Sequence, residues 1–581
     1  LNETELIHMT AAKKPLRSAR WFADPGVRGF AHRQRLQQVG YRREEFMHKP
    51  VVAIVNTWSD ISPCHHHLRD RAEAVKRAVW AAGGFPLELP ALSLGEVMVK
   101  PTTMMYRNLL AMETEELLRS HPVDGAVLLG GCDKTGPGLV MGALSMNLPA
   151  LFCPAGFMAS GQHKGQRVGA GTHTRTFWDD YRAKKITETE MVHLETVMTR
   201  SIGTCNTVGT ATTMTSIIDA MGLSLPGASS IPAIDGGHTR MASECGQRIV
   251  EMILEDRTPR SLVTRGSINN AAVAYLALGG STNASVHLVA MARRAGVAFG
   301  LQDLEQLASR IPVLANVFPA GRYLMEDFFF AGGLPALLNE VREHLDLSAT
   351  YVTGQTMGDV LQGAKAIDVD VIRPQSNPVS LMPGLAVLRG NLAPDGCVIK
   401  PSAASADLMK HTGPALVFDS MAELMAQIDH PELEVTANTV LILRSAGPQG
   451  APGMPEWGAL PLPKKLLEQG VRDMVRISDA RMSGTHGGTC VLHVAPESHV
   501  GGPLAFVRTG DLVSLDVAAR SLWLHVTDEE LAERKKAWSP PAPAYERGYG
   551  SMFLQHIQQA NDGCDFDFLA KEAANPEPPI F

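Results

Sequence analysis

Gly125-Ala126-Val127-Leu128-Leu129 runs straight into Gly130-Gly131-Cys132-Asp133-Lys134-Thr135-Gly136-Pro137-Gly138, and the reading of this junction decides the fold. The first five residues form a short, unbroken apolar run of the kind shown by a parallel strand buried on both faces. The glycine-rich stretch after it is a turn at the strand's C-terminal end, presenting a thiol, a carboxylate and an amine in consecutive positions. Glycines on both sides let such a loop turn Cys132 toward one ligand and Asp133 toward another, which suggests two neighbouring metal centres.

Toward the N-terminus, Val51-Val52-Ala53-Ile54-Val55 repeats the apolar run, and the loop after it carries Asn56-Thr57-Trp58-Ser59-Asp60 and Pro63-Cys64. Leu68, Ala72, Val75 and Val79 then recur at helical spacing. Cys64 therefore stands just before a predicted helix start, where backbone amides and the helix dipole favour a thiolate. Residues 85–90 predict another strand, leading to the loop around Glu96, and 102–118 a helix; residues 149–153 predict a fourth strand. Strand, loop and helix repeated in this order predict a parallel α/β sheet with helices on both faces, its ligands gathered beyond the strand C-termini.

Residues 187–199 and 210–221 read as helices, the second placing Cys205 near a helix start, and 241–345 supply helical bulk. From Gly384 the pattern changes to short strand candidates, 385–388, 414–418 and 439–443, separated by Gly and Pro turns. The division predicted is an N-terminal arm (1–47), an α/β domain (48–375), a C-terminal strand-rich, barrel-like domain (376–535) and a mostly polar tail (536–581).

Composition narrows the function classes. The chain has 581 residues, 45% of them hydrophobic, too many for one typical core. A formal net charge of -7 gives no electrostatic reason to expect nucleic-acid binding. Eight cysteines without a CxxC pair do not make a disulfide scaffold and point to a reduced cytoplasm. No apolar signal region and no uncharged apolar stretch of membrane-spanning length is seen, so neither export nor membrane association is expected.

Six pieces, in order, carry a family resemblance: Asn56-Thr57-Trp58-Ser59-Asp60 with Pro63-Cys64, Gly131-Cys132-Asp133-Lys134-Thr135, Gly203-Thr204-Cys205-Asn206-Thr207, Gly279-Gly280-Ser281-Thr282-Asn283, Gly453-Met454-Pro455-Glu456, and Asp479-Ala480-Arg481-Met482-Ser483-Gly484-Thr485. Together they resemble the dihydroxy-acid and sugar-acid dehydratase family, nearest in pattern to the aldonate (L-arabinonate-type) dehydratases. The resemblance implies that Cys64, Cys132 and Cys205 bind a 2Fe-2S cluster with one iron left open as a Lewis acid. It implies that Glu96, Asp133, Glu456 and a carboxylated Lys134 hold Mg2+, a hard cation that prefers oxygen. From the residues alone, Lys134 is instead a counter-ion to Asp133. Ser483 is implied as the general base, whereas Ser-Gly-Thr by itself also fits a helix cap. Cys153, Cys245, Cys397, Cys490 and Cys564 lie outside the matching pieces and read as structural.

The implied reaction is dehydration of a 2,3-dihydroxy acid: the C2 proton leaves to Ser483, the C3 hydroxyl leaves as water, and the enol becomes a 2-oxo acid. The absence of a GxGxxG fingerprint agrees with a reaction that needs no nicotinamide. The substrate expected is a polyhydroxy acid such as L-arabinonate or a related pentonate or hexonate. His67, His163, His173 and Thr485 are candidates for its extra hydroxyls, alongside His65 and His66. Val97-Met98-Val99 departs from the arabinonate-like pattern toward apolar residues. Competing readings are a 2,3-dihydroxyisovalerate dehydratase, an iron-sulfur redox or regulatory protein, and a Mg2+-only isomerase or aldolase. The family pattern also implies a homodimer or homotetramer served by iron-sulfur assembly machinery.

Overall fold

The computed structural model describes residues 15–569 and 575–580; the first fourteen residues of the predicted arm, and residues 570–574 and 581 of the predicted tail, lie outside them. Val51–Asn56 (β1), Phe85–Pro90 (β2), Gly125–Gly130 (β3) and Ala150–Pro154 (β4) form an all-parallel sheet in the order β2-β1-β3-β4. β1 and β3 are buried along their whole length, which is why both are continuous apolar runs rather than alternating ones. The chain steps from β1 outward to β2, then crosses to β3 and outward to β4. That reversal opens a crevice at the C-terminal ends of β1 and β3.

Helices cover the sheet. Leu68–Ala81 (α1) buries Leu68, Ala72, Val75 and Val79, the residues whose spacing predicted it. Met104–Ser120 (α2) and Thr135–Met146 (α3) pack closely because a Cβ on Gly142 would stand only 2.5 Å from the Ala111 carbonyl oxygen. A larger residue there would force the two helices apart. The chain continues through a small hairpin, Gly161–His163 (β5) with Gln166–Val168 (β6), then Thr172–Arg182 (α4) and Thr210–Ala220 (α5), among further helices.

The second unit is a closed eight-stranded barrel, as the run of short strands predicts. Its strands are Ala386–Gly390 (β7), Ala393–Ile399 (β8), Lys410–Phe418 (β9), Val440–Leu443 (β10), Arg476–Ser478 (β11), Cys490–Ala495 (β12), Leu512–Asp516 (β13) and Ser521–Leu524 (β14). Around the barrel they run β10-β11-β12-β8-β7-β14-β13-β9. Alternate residues divide two cores: Cys397, Ile399, Val440, Ile442 and Ile477 fill the barrel, whereas Val398, Cys490 and Leu492 join the core of the α/β domain.

The chain ends are less polar in effect than in composition. Trp21, Phe22 and Phe46 of the arm are buried in the α/β core. In the tail, Gly548–His556 (α6) and the residues after it bury Phe553, Ile557, Cys564 and Phe566. A fully buried Arg294–Asp565 pair at 2.6 Å fastens this segment to the body. These aromatics are scattered among Asp, Asn and Gly, so their average hydropathy hides a buried face.

Candidate active site

The three motif cysteines come from three loops at the sheet's C-terminal edge. Cys64 lies after β1, Cys132 ends the turn after β3, and Cys205 precedes α5. Gly203 N donates to Pro63 O at 3.1 Å, tying the Cys205 loop to the Cys64 loop, and Thr204 N donates to Gly156 O at 2.9 Å, tying it to the end of β4. Cys132 adopts φ +61°, a left-handed conformation that costs a residue with a Cβ about 1–2 kcal/mol. Its sulfur receives Glu96 N at 3.5 Å and shares a hydrogen bond with Cys64.

That hydrogen bond, then burial, then Cys132, Cys205 and Asp133 push the Cys64 thiol well above its ordinary value. Burial first, then Asp133, Cys132 and Glu456, push Cys205 up to about 12. The thiolate expected at Cys64 from its helix-start position is therefore not favoured by that position: α1 begins only at Leu68, and buried, potentially anionic neighbours outweigh its amides.

Beside the thiols, three motif residues and Glu96 meet across the two domains. Lys134 Nζ lies 3.0 Å from Glu96, 3.1 Å from Asp133 and 3.1 Å from Glu456, and its side chain is wholly buried. Burial and Arg481 oppose the ammonium, but Asp133, Glu456 and Glu96 together hold it above the ordinary lysine value. Burial pushes Asp133 up to about 6; Lys134 opposes that shift, while Glu456 and Glu96 reinforce it. Burial would also raise Glu456, but Lys134 and Arg481 prevail and lower it.

The carboxylates are fixed from behind. Thr102 donates to Glu96 at 2.8 Å, with Thr103 on its other oxygen. Asn283 donates to Glu456 at 2.7 Å and Arg481 at 3.1 Å.

No three His, Cys, Asp or Glu side chains among the described residues stand close enough to hold a metal ion as arranged, and the Lys134 ammonium sits amid the carboxylates. The donor chemistry nevertheless suits two different groups. One set is three soft thiols whose ionisation calls for a bound cation. The other is a set of hard oxygens already drawn round one positive charge, with Asn283 Oδ1, buried and without a partner among the described residues, on the residue that holds Glu456.

The Glu456 and Ser483 loops leave the same end of the barrel, after the parallel strands β10 and β11. Trp457 bridges to Met482, and Gly458 N donates to Arg481 O at 2.8 Å, so the loops run side by side. Gly484 lets this turn press on the α/β domain: a Cβ there would stand 2.5 Å from Ser281 Cβ. Ser483 Oγ and Thr485 Oγ1 lie 3.0 Å apart, and the Thr172 hydroxyl donates to Thr485 O at 2.7 Å.

Comparison with known proteins reproduces this two-domain arrangement. Residues 49–360 match the family model described as dihydroxy-acid/6-phosphogluconate dehydratase N-terminal, and residues 370–564 its C-terminal counterpart. The chain belongs to the dihydroxy-acid/6-phosphogluconate dehydratase family. It is an enzyme, a carbon-oxygen hydro-lyase. Among its relatives, 6-deoxy-6-sulfo-D-gluconate dehydratase of Pseudomonas putida is 63% identical over 568 residues, covering 97% of this chain and 98% of that protein. L-arabinonate dehydratase of Rhizobium leguminosarum bv. trifolii is 45% identical, with 96% of each chain covered. Dihydroxy-acid dehydratase of Moorella thermoacetica is 37% identical, covering 93% of this chain and 98% of the relative.

In this dehydratase the candidate histidines divide by burial. His65 and His67 are buried, each pairing Nε2 with a carbonyl, Gly131 O at 3.0 Å and Ala155 O at 2.6 Å. Burial lowers both to about 4, leaving neutral rings that brace the Cys132 turn and the end of β4. His163 stands beside the rings of Phe177 and His193 in the hairpin; His173, in α4, accepts Gly169 N at 3.1 Å and lies against Phe318.

Sequence reasoning gave no role to Thr102, Thr103 or Asn283. The two threonines follow Glu96 by six and seven residues, and Asn283 closes the Gly279–Asn283 motif. Those positions were the available signal. No helix among the described residues is long and apolar enough to cross a membrane.

Proposed function

We propose that the chain removes water from a six-carbon sugar acid bearing an anionic group at C6, of the 6-deoxy-6-sulfo-D-gluconate kind, giving the 2-dehydro-3-deoxy acid. The observation that carries this reading is the 63% identity, over nearly the whole of both chains, to an enzyme of that name, against 45% for the L-arabinonate enzyme and 37% for the dihydroxy-acid enzyme.

In this reading Cys64, Cys132 and Cys205 hold a 2Fe-2S cluster, and Glu96, Asp133, Glu456 and Lys134, carboxylated on its amine, hold Mg2+. Bound there, the two groups supply Lewis acidity to the departing hydroxyl and to the carboxylate end of the substrate. The chain's own residues do the rest. Thr102 and Thr103 hold Glu96 in one orientation, and Asn283 and Arg481 hold Glu456, so the oxygens need not reorganise when substrate arrives. Ser483 Oγ takes the C2 proton, and the Thr485 hydroxyl, 3.0 Å away, donates to that oxygen and lowers the cost of its alkoxide. The C3 hydroxyl leaves as water and the enol tautomerises to the 2-oxo acid, with no net change of redox state.

The test is anaerobic turnover with Mg2+ on 6-deoxy-6-sulfo-D-gluconate, D-gluconate, L-arabinonate, D-xylonate, D-glycerate and 2,3-dihydroxyisovalerate, detecting the 2-oxo acid. Preference for the sulfonated acid is expected; preference for 2,3-dihydroxyisovalerate overturns the reading. Ser483→Ala is expected to lose about 100- to 10,000-fold in kcat while keeping the visible absorbance of the cluster. Near-normal turnover in that variant removes Ser483 as the base.

A further inference from the structure

Three neighbouring parallel strands of the barrel, β10, β11 and β12, end side by side, and the loops after them carry Glu456, Ser483 and Glu497. Glu497 is wholly buried, which a carboxylate tolerates only where donors satisfy it. Both of its oxygens meet N–H groups. Oε2 accepts Gln449 N at 3.0 Å and Gly450 N at 2.9 Å, and Oε1 accepts Gln449 N at 3.0 Å and Gln559 Nε2 at 2.9 Å. Gln559, in the tail after α6, returns the contact: its Oε1 accepts Glu497 N at 2.8 Å. Gly447 makes room, since a Cβ there would stand 2.6 Å from Glu497 Cβ. Burial first, then Asp479, push the Glu497 carboxyl up to about 7, against the N–H groups of Gly450, Gln559 and Gln449.

From the turn that Glu497 holds, hydrogen bonds run on to the site. Ala451 N donates to Gly447 O at 3.1 Å and Met454 N to Ala451 O at 2.7 Å. Met454 O accepts Arg481 Nε at 2.8 Å, and the same arginine holds Glu456 at 3.1 Å. On the other side stands Asp479, which opens the Ser483 loop. It accepts Ala446 N at 3.0 Å, Ser498 N at 2.9 Å and Ser498 Oγ at 2.6 Å, and Ser498 Oγ accepts Ser445 N at 2.7 Å. Ser498 and Asp479 thus tie the Ser483 loop to the start of the 445–450 turn, and Glu497 ties the end of that turn to the tail.

We propose that Glu497 is a positioning residue for the dehydration: its carboxylate holds the 445–450 turn and through it sets Glu456 against Ser483, while Gln559 holds the carboxylate. The assignment rests on the roles given above to Glu456 and Ser483 and adds what fixes their spacing. The position requires two acceptor oxygens. Glu497→Gln keeps the shape but has one oxygen, so its amide N–H points at another N–H group. Combining it with Gln559→Glu removes the conflict. The amide oxygen then faces Gln449 N and Gly450 N, the amide N–H donates to the new carboxylate, and that carboxylate still accepts the backbone N–H of position 497.

The experiment uses the cluster- and Mg2+-loaded enzyme as wild type, Glu497→Gln, Gln559→Ala and the double exchange Glu497→Gln with Gln559→Glu. Turnover is measured on whichever acid of the panel above the wild type dehydrates fastest, and Mg2+ binding by calorimetry. Glu497→Gln is expected to lower kcat and to weaken Mg2+ binding, each about 10- to 100-fold, because a displaced support costs a ligand its geometry. KM stays within about 3-fold and the visible absorbance of the cluster is unchanged, since the cysteine loops hang on the other domain. The double exchange is expected to recover kcat to within about 3-fold of wild type, and Gln559→Ala to lower it about 3- to 10-fold.

Wild-type kcat and Mg2+ affinity in Glu497→Gln overturn the proposal. So does a loss that the double exchange fails to regain although that protein melts with wild type, or a loss that tracks bleaching of the cluster. Should Glu497→Gln not fold, Gln559→Ala decides: a fall in kcat at constant KM supports the proposal, and unchanged kcat overturns it. A wild type that prefers an acid without a charge on C6 sinks the sulfonated-substrate reading and leaves this comparison standing.

Discussion

Lys134 and Lys400 are both buried, and their surroundings are opposite. Lys134 Nζ has three carboxylates within 3.1 Å and is held above the ordinary lysine value. Lys400 Nζ has no partner among the described residues and falls to about 7. Burial by itself does not say whether a lysine is charged; the acceptors around it do. One lysine is completed by the chain's own residues, from both domains.

Removing Lys134 is the strongest way to probe this contrast. Lys134→Met leaves Glu96, Asp133 and Glu456 facing one another without their shared cation. Turnover is expected to fall by a factor on the order of 10³, and stability by about 3–5 kcal/mol, read from denaturation of the unloaded protein. A variant as stable as wild type would show that the carboxylates never depended on it.

Lys400→Met is expected to act with the opposite sign. Above pH 7 the unfolded chain keeps a proton on Lys400 up to the ordinary lysine value of 10.5, whereas the native amine has lost it. The state that binds more protons is then the unfolded one, so this group makes stability rise with pH through that window. Below pH 7 its penalty is present in full. Lys400→Met is expected to lose this slope and to gain on the order of a few kcal/mol at pH 7, seen as a higher melting temperature than wild type at pH 7 that converges by pH 10. A lower melting temperature would erase the contrast.

What was legible in the sequence followed from locality. β1 and β3 are apolar runs long enough to need burial on both faces, so the parallel sheet and its C-terminal loops could be read from periodicity, and the barrel from regularly spaced short strands. The ordered motifs pointed to Cys64, Cys132, Cys205, Asp133, Lys134 and Glu456, the resemblance they carry added Glu96 in the loop after the second strand, and the structure brings these residues into one neighbourhood. Long-range pairing was not legible. Thr102 and Thr103 matter because their hydroxyls turn back to Glu96, Asn283 because it reaches Glu456 in the other domain, and Lys400 because its Nζ is buried without a hydrogen-bond partner among the described residues; none of these facts has a sequence period. The pKa of Cys64 was misread for the same reason, since its nearest influences are thiols and a carboxylate from other loops.

The segment after the barrel has a consequence for the order of synthesis. Tyr549 OH donates to Met105 O at 2.5 Å, and Arg107 donates to the carbonyls of Gly563 and Cys564 at 2.9 and 2.6 Å. Met105 and Arg107 lie directly after Thr102 and Thr103, the residues that hold Glu96. Translation has thus delivered every proposed ligand and the base once Thr485 has left the ribosome. The clasp on the Glu96 loop arrives only with residues 549–564, so the nascent chain carries a full set of site residues before it carries their geometry.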